Sequence, residues 1–218
     1  MIPARRYIVE FLGTAALLAI VVGSGIMGER LAAGNAAVAL LANSLATGAG
    51  LFVLIVTFAP VSGAHFNPVV TLQGVLLGNH KIRSAFACIV LQCCGAVCGV
   101  VLAHGMFGRE AFEHSHHLRN TPGEFLGEIV ATAGLLLVIR GNGKAPLPLA
   151  AALLACYITA AYWFTSSTCF ANPAVTIARS LTDSFSGIAP ESVGRFIAGQ
   201  GLGLALAWVG GLALFGRD

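Results

Sequence analysis

Two apolar runs in this chain, residues 67–77 and 172–181, are only about ten residues long, a length that points to re-entrant rather than spanning segments. Each opens on Asn-Pro. The first follows Ser-Gly-Ala-His-Phe (Ser62 to Phe66) and the second follows Ser-Thr-Cys-Phe-Ala (Ser167 to Ala171). Irregular backbone at membrane depth survives only where it is buried in protein or lines a cavity. The two runs are therefore read as half-helices that together form one split site.

The remaining apolar runs fall near residues 7–27, 36–58, 85–107, 124–139, 149–164 and 192–215, each near the length of about 20 residues that a helix needs to cross a bilayer. Of the 218 residues, 57% are hydrophobic and 10% charged, against about 25% charged in soluble domains. None of the runs alternates apolar and polar residues as a barrel strand does. The expected fold class is an all-α membrane protein with six transmembrane helices and two re-entrant half-helices, forming a single domain over residues 1–218.

Charge and cysteine placement exclude other classes. The net charge of +3 is spread along the loops, which excludes a nucleic-acid surface. Arg5 and Arg6 precede an apolar run that has no Ala-x-Ala exit, so that run is expected to be the first span and not a cleaved signal. Cys88, Cys93, Cys94, Cys98 and Cys156 lie within apolar helical runs, where free cysteine packs as a small hydrophobe. No disulfide and no metal site are expected.

The halves, about 1–107 and 124–218, echo each other. Asn-Pro-Val-Val-Thr71 matches Asn-Pro-Ala-Val-Thr176, and Gln92-Cys-Cys-Gly95 matches Gln200-Gly-Leu-Gly203. Glu10-Phe-Leu-Gly-Thr14 has two counterparts, one starting at Glu124 and one at Glu128. Three spans per half is an odd number, so the halves insert in opposite directions. An inverted 3+3 repeat with short interrupted segments at matching positions points to a site at the bilayer midplane.

The short segments carry their own chemistry. Pro68 and Pro173 suit the first helical position, and Asn67 and Asn172 suit the cap before it. Two half-helices meeting at the centre bring their positive dipole ends together, which disfavours a cation there. The cap amides would offer N–H donors to a hydroxylated solute.

These residues resemble the aquaporin, or major intrinsic protein, family over essentially the whole chain. The resemblance implies a passive channel without cofactor and a homotetramer in the plasma (inner) membrane, with Asn67, Pro68, Val69, Asn172, Pro173 and Ala174 at the pore centre. It also implies a vestibule position for His65. Val69 stands where the family usually has Ala. Water-selective and glycerol-conducting members usually carry Arg directly after the second Asn-Pro-Ala, where this chain has Val175, with Arg179 one turn further on in the vestibule.

Ungapped alignment from each Asn puts Thr47, Ala160 and Cys169 with Val175 at the filter. None is aromatic, so the filter is expected to be wider than a water filter. The stretch from Asn172 to Asp183 is similar to the bacterial aquaglyceroporins associated with arsenic resistance. The implied solutes are water, glycerol and neutral metalloid hydroxides such as arsenite, or methylated arsenic. A water-selective aquaporin and a secondary active transporter are the alternatives, and no catalytic constellation is present.

Several polar residues have structural readings. Glu10 and Glu128, with the repeat-related Gln92 and Gln200, are read as buried structural residues, the acids accepting N–H bonds from the breaks. Arg179 is read either as a solute-attracting residue or as the i+4 partner of Asp183. His114, His116 and His117 are read as a solvated loop, and Gly95, Gly99, Gly199 and Gly203 as sites of close helix packing. With Arg5, Arg6, Lys81, Arg83, Arg140, Lys144 and Arg217 on one side, that side is expected to be cytoplasmic and to hold both termini.

Overall fold

The computed structural model describes residues 4–216, so Arg217 in the charge count lies outside the described residues. Eight helices follow in order: α1 (Ala4–Leu31), α2 (Ala36–Ser62), α3 (Pro68–Leu76), α4 (Ile82–Phe107), α5 (Pro122–Gly141), α6 (Leu147–Phe164), α7 (Pro173–Arg179) and α8 (Pro190–Phe215). Six are long and apolar enough to cross a membrane. The nine-residue α3 and the seven-residue α7 are the half-helices.

Local chemistry sets the ends of these helices. Asn35 caps α2 by accepting from the amides of Ala37 and Val38, and left-handed Gly63 ends it. At α5, Thr121 and Glu124 form a reciprocal capping box, a device that satisfies two of the otherwise orphaned N-terminal donors. Glu124 is thereby used at the surface, and Glu128 is the residue equivalent to Glu10.

Packing follows the repeat. Helix α1 packs against α4 and α5 packs against α8, while each half-helix touches the closing helix of both halves. The close approach depends on glycine. A Cβ on Gly95 would lie 2.3 Å from the carbonyl oxygen of Phe11, one on Gly99 2.3 Å from that of Ala15, and one on Gly203 2.8 Å from that of Ile129. Backbone meets backbone at these points, and van der Waals contact between helices holds a membrane bundle together where the hydrophobic effect does not.

Six crossings and two re-entrant turns return the chain to the face on which it started. Arg6 meets His80 on this terminal face, and Arg140 donates to the carbonyl of Gly216 there. The long loop after α4 and the loop after α7 meet on the opposite, distal face. There Glu113 N donates to Leu181 O and Ala189 N donates to His117 O.

Candidate functional site: a two-fold pore

The two breaks are built alike. Glu10 accepts from the backbone N–H of His65 (3.1 Å) and Phe66 (2.9 Å) and from Gln92 Nε2 (2.7 Å). Glu128 accepts from the N–H of Phe170 and Ala171, both at 2.9 Å, and from Gln200 Nε2 at 2.6 Å. The two glutamines also donate to Thr71 and Thr176, which in turn donate to the carbonyls of Asn67 and Asn172. Each acid is thus the anchor of one break. The anchoring is needed because Ala64, Phe66, Thr168, Cys169 and Ala171 all adopt positive φ without being glycine, at a cost of about 1–2 kcal/mol each.

The half-helices meet through their caps. Asn67 accepts from Val69 N and donates Nδ2 to Ala171 O, while Asn172 accepts from Ala174 N and donates Nδ2 to Phe66 O. The crossed bonds, at 2.8 and 2.9 Å, tie the two halves together at the centre. An amide carries two N–H hydrogens, so each Asn keeps one for the cavity that both line. Pro68, Val69, Pro173 and Ala174 form the first turns but do not line that cavity. Val69 packs against Leu136 and Ala207 instead, which accounts for the room its extra methyl groups find.

Three cavities follow one another through the bundle. The distal one is about 480 Å³, the neck about 80 Å³ and the terminal one about 380 Å³. Arg179 lines both the distal cavity and the neck. His65 lines both the neck and the terminal cavity. This gives an hourglass whose waist holds the Asn pair.

Of the expected filter residues, Thr47, Cys169 and Val175 line the neck and Ala160 does not. Ala160 is exposed on the outside of the bundle. On α6 the inward face is Leu154, Ile158 and Tyr162, a four-residue helical repeat from which position 160 points away. Ala161 is fully buried beside Cys169 and Ala171, behind the wall. The expectation of a wall without aromatics is also corrected: Tyr162 and Phe170 line the neck, and the Tyr162 hydroxyl donates to Thr47 Oγ1 at 3.2 Å.

Arg179 is 2% exposed, with its guanidinium 3.4 Å from the centre of the Phe170 ring and its Nε donating to the carbonyl of Ser186. It does not pair with Asp183, because α7 ends at Arg179 and the i+4 register is lost. Asp183 instead accepts from the backbone N–H of His116 at 2.9 Å and meets its ring at 3.2 Å. Those contacts hold the Asp183 carboxyl below the usual carboxylate range. Glu113 is held low in the same way, first by its paired hydrogen bonds from Arg109. On the terminal face, His65 Nδ1 lies 3.0 Å from Thr71 Oγ1 and its ring lies 4.9 Å from that of His80. Burial, then neighbouring Arg6, lowers the pKa of His80.

The major intrinsic protein family model matches residues 2–163, and the chain is 46% identical over 203 residues to the aquaglyceroporin AqpS of Rhizobium meliloti (strain 1021), covering 93% of this chain and 87% of that protein. The chain belongs to the major intrinsic protein family. This family member is also 29% identical over 213 residues to human aquaporin-1, covering 89% and 78% of the two chains. Its fold matches the X-ray structure of the aquaglyceroporin from Plasmodium falciparum with a TM-score of 0.72 at 20% identity, over 94% and 92% of the chains. As a major intrinsic protein it is a multi-pass membrane protein and a passive channel for small solutes, not an enzyme.

Among the lining residues that sequence reasoning did not name are Ile158, Tyr162 and Phe170 in the neck and Arg119 in the distal cavity. The first two were recoverable from the helical period of α6. Phe170 sits beside Cys169 in a break whose backbone turns are not legible locally. Arg119 comes from a loop far away in sequence, and no signal in the sequence marks it.

Proposed function

We propose that the channel conducts neutral hydroxylated solutes, namely water, glycerol and metalloid hydroxides such as arsenite, with methylated arsenic species in the same class. Residues 1–218 act as one channel domain in a homotetramer of the plasma membrane, with the terminal face cytoplasmic. The observation that carries the reading is Val175 in the neck wall, directly after the second Asn-Pro-Ala. A branched aliphatic side chain there, beside Thr47 and Cys169, leaves more room and fewer donors than a guanidinium at that position. The Asn67 and Asn172 hydrogens supply the paired donors, and the two helix N-termini repel cations. The first relative above is named an aquaglyceroporin, which agrees with this solute class.

The test is stopped-flow light scattering on proteoliposomes under water, glycerol and arsenite gradients. Glycerol and arsenite fluxes well above those of empty vesicles are expected, and accumulation beyond equilibrium driven by a proton gradient would refute a passive pore. A second reading, a water-selective pore, is favoured by Tyr162 and Arg179 in the neck wall. Water flux without glycerol or arsenite flux would establish it.

A further inference from the structure

The distal cavity is lined by two arginines that no carboxylate pairs with among the described residues. Arg179 and Arg119 both approach the same aromatic ring, with guanidinium carbons 3.4 and 5.2 Å from the centre of Phe170, and both line the cavity. Neither forms an ion pair with a carboxylate among the described residues. Each is held by backbone carbonyls of the loop after α7, Arg179 by Ser186 and Arg119 by Gly187 through Nε at 3.0 Å. A guanidinium has five N–H donors in a planar fork. With Nε so used, both terminal nitrogens of Arg179 and one of Arg119 have no protein acceptor among the described residues.

The surroundings deepen the asymmetry. His117 also lines the cavity, its ring 3.9 Å from Asp183, and no Asp or Glu lies in the wall itself among the described residues. The buried carboxylate of Glu128 accepts from the N–H groups of Phe170 and Ala171 and from the Gln200 amide. Asp183 is engaged by His116. Arg179 itself is almost fully buried, and a buried charge is stable only when it is paired or strongly hydrogen-bonded. The two free terminal nitrogens of Arg179 match the planar two-oxygen edge of a carboxylate or an oxoacid anion, and the one free terminal nitrogen of Arg119 adds a further donor in a cavity of about 480 Å³.

We propose that the distal cavity is a binding site for a small monovalent oxyanion, held between Arg179 and Arg119. Because Arg179 also lines the neck, an anion there stands in the path of neutral solutes and slows their flux. The site thus rests on the channel reading, and its ligand is an oxyanion docked at the mouth, not a conducted cation.

The probe is methanesulfonate, a permanently charged monovalent oxyanion, with neutral dimethyl sulfone as its control. Glycerol flux into proteoliposomes is measured with potassium methanesulfonate replacing chloride on both sides. Binding is read separately from Trp163 fluorescence in detergent on a Trp208→Phe background, since Trp163 lines the same cavity. Methanesulfonate should inhibit flux and change the fluorescence, and dimethyl sulfone should do neither. Arg179→Gln should raise the half-inhibiting concentration at least tenfold, and Arg119→Gln several-fold, each read against the variant's own uninhibited flux.

Should Arg179→Gln fail to yield monodisperse protein, Arg119→Gln and Arg119→Lys carry the test. Loss of affinity in the first with partial rescue in the second supports the site. Equal effects of the two probes, or wild-type inhibition and fluorescence constants in every variant that folds, would overturn it. Absence of wild-type glycerol flux with an intact fluorescence response would reject the solute assignment and leave the anion site standing.

Discussion

Replacing Glu128 by Gln should unfasten the second break. Three of its residues, Thr168 (φ 59°), Cys169 (φ 51°) and Ala171 (φ 47°), sit in the left-handed region, together costing about 3–6 kcal/mol at 1–2 kcal/mol each. The two carboxylate bonds from Phe170 N and Ala171 N offset a similar amount, about 1.5–3 kcal/mol each for hydrogen bonds to a charged group. Glutamine has the same shape but presents an NH₂ where one oxygen was, so at least one of three converging donors meets another donor. The expected loss is about 2–4 kcal/mol. For a chain of this size that is a drop of about 5–15 °C in midpoint temperature, readable by scanning fluorimetry in detergent together with water flux. Glu124→Gln, which touches only the exposed capping box, should move the midpoint by far less. A Glu128→Gln protein melting within about 2 °C of wild type, with full water flux, would refute the anchoring argument.

Other expectations follow from the wall and the packing. Val175→Arg should cut glycerol flux at least tenfold while sparing more of the water flux, and unchanged glycerol flux would remove Val175 from the constriction. Small methanethiosulfonate reagents should reduce flux through Cys169, the cysteine in the neck wall; Cys169→Ser should resist them, and continued block in that variant would shift the target to another cysteine. Gly95→Val should abolish accumulation of folded protein, since its Cβ would lie 2.3 Å from the Phe11 carbonyl, whereas Gly201→Val, with nothing within 4 Å, should be tolerated; size-exclusion profiles decide. The lowered pKa values of Glu113 and Asp183 mean that their tethering of the distal loops is present above the unfolded carboxylate pKa of about 4. It is lost as pH falls through the lower folded values. Hydrogen exchange in the segment around residues 109–118 should therefore rise below about pH 4, and a profile flat to lower pH would contradict this.

Much of the pore was legible because membranes allow so few solutions. Length and apolarity alone make six spans, and a ten-residue run between Gly/Pro breaks cannot be a seventh. Asn-Pro carries its local structure with it, since the cap and the first-turn Pro act within four residues. The repeated words left both Glu124 and Glu128 as counterparts of Glu10, and burial within a span singled out Glu128 as the acid of the second break. In the fold Glu128 accepts from the N–H groups of Phe170 and Ala171, while Glu124 caps a helix at the surface.

The wall of the neck belongs to the tertiary structure. Counting from Asn172 with no gap reached Ala160, yet the rotation of α6 is set by packing against α2 and α5 and turns Ile158 and Tyr162 inward. Sequence by itself determined that this chain crosses a membrane as an inverted repeat around two capped half-helices, because hydrophobic length and backbone capping are local properties. Only the tertiary structure decided that Arg179, one turn beyond Val175, and Arg119, from a distant loop, bring their charges to one side of the same pore.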